Sequence, residues 1–175
     1  MDYLTKPVTR SQLRELSQIF RQMFSVPLTG RFPVLYVLER FHEKFPGSYY
    51  VIVEDEDMPA TIPARCKVLE NGAFDIQLRR STYDGAYKHK AGAFRDHIVH
   101  EMCHAFLYSI GFTPTMERSF KNGRICCYCS SEWQAKALCG EIMMPYEETK
   151  GLSSYEIAEE YEVSQAQAKY RCSHY

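Results

Sequence analysis

The HExxH motif at residues 100–104 constrains the fold of this chain more than any other feature. It lies in a segment, residues 93–110, whose apolar side chains recur at helical spacing. In a helix, residues four apart share one face, so the His100 and His104 imidazoles point the same way. The chain must therefore bury the apolar face of this helix and leave the histidine face open. The apolar residues are Phe94, Ile98, Met102, Ala105 and Phe106.

Two histidines at this spacing can bind one metal ion. Zinc with three protein ligands keeps a fourth position for water and lowers the pKa of that water to about 7. Glu101 lies about 100° round the helix from His100, beside this open position. It could take a proton from the attacking water and pass it to a leaving amine. The motif predicts His100 and His104 as zinc ligands and Glu101 as the general base.

A third ligand has to come from another part of the chain. The next helix is predicted for residues 130–143, with Glu132 on its first turn. Small residues at positions 135 and 139 would let this helix approach the HExxH helix closely, which favours Glu132 as the ligand. A first-turn glutamate can also serve only to complement the helix dipole. Glu117 and Glu141 are alternative ligands.

Residues 132–145 resemble the helix of the ImmA/IrrE family of zinc metallopeptidases, in which E-x-x-A-N-x-F-A-x-x-L-L-M-P follows HExxH. The positions that match are Glu132, Ala135, Ile142, Met144 and Pro145. Lys136, Leu138 and Cys139 depart from the pattern, where Asn, Phe and Ala are usual. The resemblance covers about residues 49–171, including a closing V-S … Y-R segment.

This resemblance implies a zincin-like fold, with His100, His104 and Glu132 as the ligands of Zn²⁺ and Glu101 as the base. It implies a cytosolic peptidase whose protein substrate is a helix-turn-helix repressor of a phage or mobile element. It also implies a small sheet with an edge strand beside the cleft, where an extended substrate can add a strand. Residues 73–79 are the expected edge.

The order of predicted elements indicates an α+β fold in one domain, residues 1–175. N-terminal helices (9–24 and 33–45) occupy residues 1–48, and the sheet and zinc-site core occupy residues 49–145. A C-terminal helical tail with two capping-box helices follows at residues 146–175. The sheet is predicted as a strand at 49–53 and a hairpin, 65–70 and 73–79, around Asn71-Gly72. Residues 80–92 are expected to be irregular.

Charge and composition limit the classes of partner that the chain is expected to bind. Lys plus Arg number 21 and Asp plus Glu number 22, so the net charge of −1 disfavours direct nucleic-acid binding. No apolar run reaches the length of about 18 residues that a membrane span needs, and no signal peptide is evident. The expected location is the cytoplasm, where the seven cysteines would be reduced.

Other side chains near the motif allow further interpretations. Asp96 could accept a hydrogen bond from the second ring nitrogen of His100, or could be an ordinary carboxylate near the start of the helix. His97 and Tyr108 lie on the Glu101 side and could stabilise an oxyanion. Cys103 is expected to be packed. The cysteines at positions 126, 127 and 129 could form a second metal or redox site, or be ordinary reduced thiols.

Two other functions stay open at this point. The three ligands could hold a structural zinc in a binding module that sequesters a repressor without cutting it. The chain could also be a toxin-like partner in a two-gene system. The tail helices resemble a helix-turn-helix in length, but the second offers only Lys169 and Arg171 as basic residues, so packing against the core is favoured over DNA binding.

Overall fold

The computed structural model describes residues 2–89, 92–115 and 126–174. It is a mixed α+β structure, which confirms the predicted class. In chain order its helices and strands are α1 (Arg10–Met23), α2 (Val34–Glu39), α3 (Phe41–Lys44), β1 (Tyr49–Val53), β2 (Ala64–Val68), β3 (Phe74–Arg79), α4 (Arg80–Lys88), α5 (Gly92–Ser109), α6 (Ser131–Met143), α7 (Tyr146–Thr149), α8 (Ser154–Tyr161) and α9 (Gln165–Ser173).

The sheet has the strand order β1-β3-β2. Strand β3 pairs in parallel with β1 and antiparallel with β2, so Ile76 lies opposite both Tyr50 and Cys66. The expectation that residues 73–79 form the edge is therefore wrong. That segment is the central strand because β1 pairs with one side of it and β2 pairs with the other. The edge strand next to helix α5 is β2. The β2–β3 turn contains Gly72 at φ 79°, a conformation that glycine adopts without strain.

Residues 80–88 form helix α4, where an irregular segment was expected. The reason is a cap supplied from a distant loop. Asp55 Oδ1 accepts hydrogen bonds from the backbone N and from Oγ of Ser81, both at 3.1 Å. Thr82 and Ala86 are buried, and the Tyr83 ring stacks on Tyr50. Local sequence does not reveal a cap that lies 26 residues away.

One continuous apolar core joins the helices to the inner face of the sheet. Helix α5 contributes the largest share, and α1 packs against α6. The predicted helix at 33–45 is interrupted at Arg40, which gives α2 and α3. Core residues with no exposed surface include Leu13, Phe20, Ile76, Ile98, Met102, Ala135, Ile142, Ile157 and Ala168.

The tail folds back onto this core. Helices α8 and α9 begin with the predicted capping boxes at Ser153 and Ser164. Arg171 of α9 is buried and bonds both carboxylate oxygens of Glu141, at 2.9 and 2.8 Å. Its guanidinium is therefore engaged inside the protein and does not face outward. Across the described ranges, no helix combines the length and apolarity that a bilayer crossing requires.

Candidate metal centre

Helix α5 presents the two motif histidines to one cavity. Ile98, Val99, Met102 and Ala105 are fully buried, which fixes the rotation of the helix and turns the histidine face outward. The Nε2 atoms of His100 and His104 lie 3.0 Å apart, with their rings nearly perpendicular at 89°. Two nitrogens that face each other at this distance can bind the same ion.

Helix α6 brings Glu132 to the same point. Ser130 caps the helix by accepting a hydrogen bond from Trp133 N at 2.9 Å. Ala135 and Cys139 are buried where α6 packs on α5, as their small size predicted. Glu132 Oε2 lies 3.4 Å from His100 Nε2, and Glu132 Oε1 lies 3.6 Å from His104 Nε2.

The three side chains fit a zinc ion by distance and by chemistry. Zinc bonds to nitrogen and oxygen are about 2.0–2.1 Å long, so tetrahedral ligand atoms lie about 3.3 Å apart. The ligand atoms of His100, His104 and Glu132 all lie within 4.8 Å of one another. Among residues 2–89, 92–115 and 126–174, this is the single group of three or more metal-ligating side chains that converges in this way.

The electrostatics of the cluster favour a cation. Hydrogen bonds from His100 and His104 hold the pKa of Glu132 well below its usual value. Burial of the His100 ring acts to lower its pKa, but the Glu132 hydrogen bond and the nearby Glu101 carboxylate outweigh it and raise the pKa. Glu132 is thus ionised, and negative charge surrounds the two imidazoles.

The alternative ligand Glu141 points away from this centre. It follows Glu132 by nine positions on α6, which rotates it about 180° to the opposite face. There it is 1% exposed and paired with Arg171. The other alternative, Glu117, lies outside the described residues.

A cavity of about 400 Å³ opens beside the histidines. His100, Glu101, His104 and Glu132 line one side of it, and β2 lines the other. Glu101 therefore borders the same space as the candidate ligands. Cys66 of β2 faces this space, and burial followed by the charge of Glu101 raises its pKa to about 12, so it is an uncharged thiol at neutral pH.

Of the remaining candidates near the motif, Tyr108 lines the cavity, whereas His97, Asp96 and Cys103 do not. Tyr108 lines the cavity, with its ring edge-on to Phe74, and so stays a candidate for oxyanion stabilisation. His97 is half-buried, and burial lowers its pKa. Asp96 accepts a hydrogen bond from Cys139 Sγ at 3.1 Å, which ties α5 to α6. Cys103 is fully buried, as expected.

The N-terminal residues adjoin the site, although no pattern in the sequence indicates it. Asp2 Oδ2 accepts a hydrogen bond from Ser130 Oγ at 2.7 Å, and Asp2 Oδ1 accepts one from Glu132 N at 3.2 Å. Tyr3 lines the cavity. The only local signal was the capping serine at 130, and it does not reveal a second cap some 128 residues distant.

Compared with models of known protein families and with curated protein sequences, the chain matches none significantly.

Proposed function

We propose that this protein is a zinc-dependent endopeptidase of the ImmA/IrrE type with a zincin-like fold. The observation that carries the proposal is the convergence of His100, His104 and Glu132 within 4.8 Å, next to Glu101. Two consecutive helices, α5 and α6, have to pack in one register to produce this arrangement. The resemblance of residues 132–145 to the family helix supports the same assignment.

In the proposed reaction, each residue has one task. His100, His104 and Glu132 would hold Zn²⁺, which would supply Lewis acidity and lower the pKa of a water molecule. Glu101, which borders the cavity, takes the proton from the attacking water and returns it to the amine of the cleaved peptide. Cys66, across the cavity on β2, is an uncharged thiol and so does not compete with Glu101 as the base.

The proposed substrate is an extended segment of a protein, paired with strand β2. Ala64, Arg65 and Cys66 all line the cavity although successive side chains of a strand point to opposite faces. The edge of β2, and not one of its faces, therefore borders the cavity. An added strand would lie within reach of Glu101. By family resemblance, we propose a helix-turn-helix repressor as the protein cut and the cytoplasm as the location.

Glu101→Gln tests the proposal because it removes the base and keeps the size of the side chain. We expect zinc content to stay at about one per chain while cleavage of a repressor substrate, followed by mass spectrometry of fragments, falls at least about 100-fold. The matched control is Glu159→Gln, an exposed helix glutamate that should change neither. Equal activity of Glu101→Gln and wild type would exclude Glu101 as the base. Tight repressor binding without fragments by the wild type would indicate the non-catalytic binding module instead.

A further inference from the structure

Three cysteines form a cluster in the turn that precedes α6. Residues 126–129 have the spacing C-x-x-C, and Cys127–Cys129 form a single 3₁₀ turn. Cys126 and Cys127 are exposed, and Cys129 is half-buried. Pairs of thiols at this spacing are typical of dithiol–disulfide chemistry. The proposed hydrolysis uses none of these thiols.

The backbone of this turn brings Cys126 and Cys129 close together. Cys129 N donates a hydrogen bond to Cys126 O at 2.8 Å. A turn closed in this way keeps its first and fourth Cα atoms within about 7 Å. A disulfide spans Cα separations of about 4.4–6.8 Å. The turn therefore brings the Cα atoms of Cys126 and Cys129 to about the separation that a disulfide spans.

Accessibility assigns different roles to the two thiols. Cys126 is open to an oxidant in solution, whereas burial and the neighbouring Cys126 and Cys127 thiols raise the pKa of Cys129. Cys129 is thus suited to react second, once an intermediate at Cys126 has brought a disulfide sulfur next to it. Cys103 and Cys139 are buried and inaccessible by comparison.

A thiolate metal site is the competing interpretation of the cluster. It would need the three sulfur atoms to converge on one point. Within the part of the chain that the structure describes, the only group of this kind is His100, His104 and Glu132. The geometry thus favours a pair of thiols over a set of three metal ligands.

We propose that Cys126 and Cys129 form a reversible intramolecular disulfide, with a low-molecular-weight disulfide as the oxidant. The Cys126 thiolate attacks one sulfur of the oxidant and expels the other as a thiolate. Cys129 then loses its proton to solvent and attacks the Cys126 sulfur of the mixed disulfide, expelling the second thiolate. Two protein thiols are oxidised, and one external disulfide is reduced to two thiols.

The position of this turn connects it to the start of α6. Cys129 O accepts a hydrogen bond from Thr5 N at 2.8 Å, and the next residue, Ser130, caps the helix that carries Glu132. The disulfide itself does not rest on the proposed peptidase activity, so the two proposals can fail separately.

The test uses the full chain in a series of glutathione buffers in which the proportion of oxidised to reduced glutathione increases. Samples are quenched with acid, alkylated and digested with trypsin, and the peptide of residues 125–136 is analysed by mass spectrometry. We expect oxidation to leave one alkylated thiol, at Cys127, and dithiothreitol to restore all three. Cys127→Ser should keep the disulfide. Cys129→Ser should instead accumulate a glutathione adduct at Cys126.

Three results would overturn the proposal. In the first, all three thiols stay alkylatable in every buffer. In the second, the disulfide includes Cys127, so Cys127→Ser abolishes it. In the third, the reduced protein resists alkylation at all three cysteines until a chelator is added, which would assign a thiolate metal site. Circular dichroism of each variant checks that the fold is intact.

Discussion

The carboxylate of Asp2 accepts a hydrogen bond from Ser130 Oγ at 2.7 Å, and Ser130 Oγ in turn accepts one from Trp133 N at 2.9 Å. The two side chains together accept hydrogen bonds from backbone N–H groups in the first turn of the helix that carries Glu132. Asp2 also binds the Glu132 backbone N–H. Asp2 thus fixes the backbone of a candidate metal ligand that lies 130 residues further along the chain.

Asp2→Ala should therefore weaken zinc binding without touching a ligand. Loss of a partner that orients a metal ligand typically costs about 10-fold or more in metal affinity. We expect a decrease of about 10-fold, measured by competition with a chromogenic chelator. Asp57→Ala, at an exposed loop aspartate, is the matched control and should leave the affinity unchanged. Equal zinc affinities of the two variants would show that Asp2 does not help to orient Glu132.

Ala135→Leu tests the close packing of α5 and α6. Ala135 has no exposed surface, so a larger side chain must push the helices apart or strain them at a cost of about 1–3 kcal/mol. Because Glu132 has to reach both histidines, we expect zinc affinity to fall as well. Ala166→Leu, on the exposed side of α9, should affect neither. Unfolding by urea and zinc titration measure the two effects, and a variant with full zinc affinity would contradict the prediction.

Zinc should stabilise the protein more as pH rises from about 5 to about 8, because protons compete for the imidazole nitrogens. In the metal-free protein the pKa of His100 is raised. The His100–Glu132 contact therefore stabilises the metal-free fold at low pH, and this stability is lost as pH rises through the raised pKa of His100. The difference in Tm with and without zinc should grow across this range. A constant difference would argue against histidine ligation.

Arg171→Leu should destabilise the fold and leave the metal centre in place. Arg171 and Glu141 are both almost completely buried, and removing one partner of a buried pair costs about 3–5 kcal/mol. Arg10 and Arg14 also approach Glu141, each at 3.5 Å, so we expect the lower part of that range. Urea denaturation measures the loss, with Lys169→Leu as the exposed control. Zinc stoichiometry should be unchanged in both variants.

The histidine pair, the helix that carries it and the capped helices of the tail could be predicted because their signals are local. Helical period, capping boxes and the Asn71-Gly72 turn depend on residues a few positions apart. Glu132 was one of several options by spacing, and only the family resemblance favoured it strongly. In the structure Ala135 and Cys139 are buried, and Cys139 Sγ donates a hydrogen bond to Asp96 of α5, which ties this face of α6 to α5.

The misassigned elements depend on contacts between distant residues. The parallel pairing of β1 with β3 leaves no local mark in the sequence, so the central position of β3 is not predictable from it. Helix α4 was missed because its cap, Asp55, comes from another loop. Asp2 was missed for the same reason. Periodicity describes each segment separately and does not show which segments become neighbours.

The central claim is that two helices hold one zinc ion through His100, His104 and Glu132. Anomalous X-ray diffraction at the zinc edge, on crystals of the zinc-loaded full-length protein, tests it most directly. The expected result is one strong anomalous peak about 2.0–2.1 Å from both Nε2 atoms and from a Glu132 carboxylate oxygen. A protein without this peak, or with zinc held elsewhere and Glu132 turned to solvent, would contradict the claim.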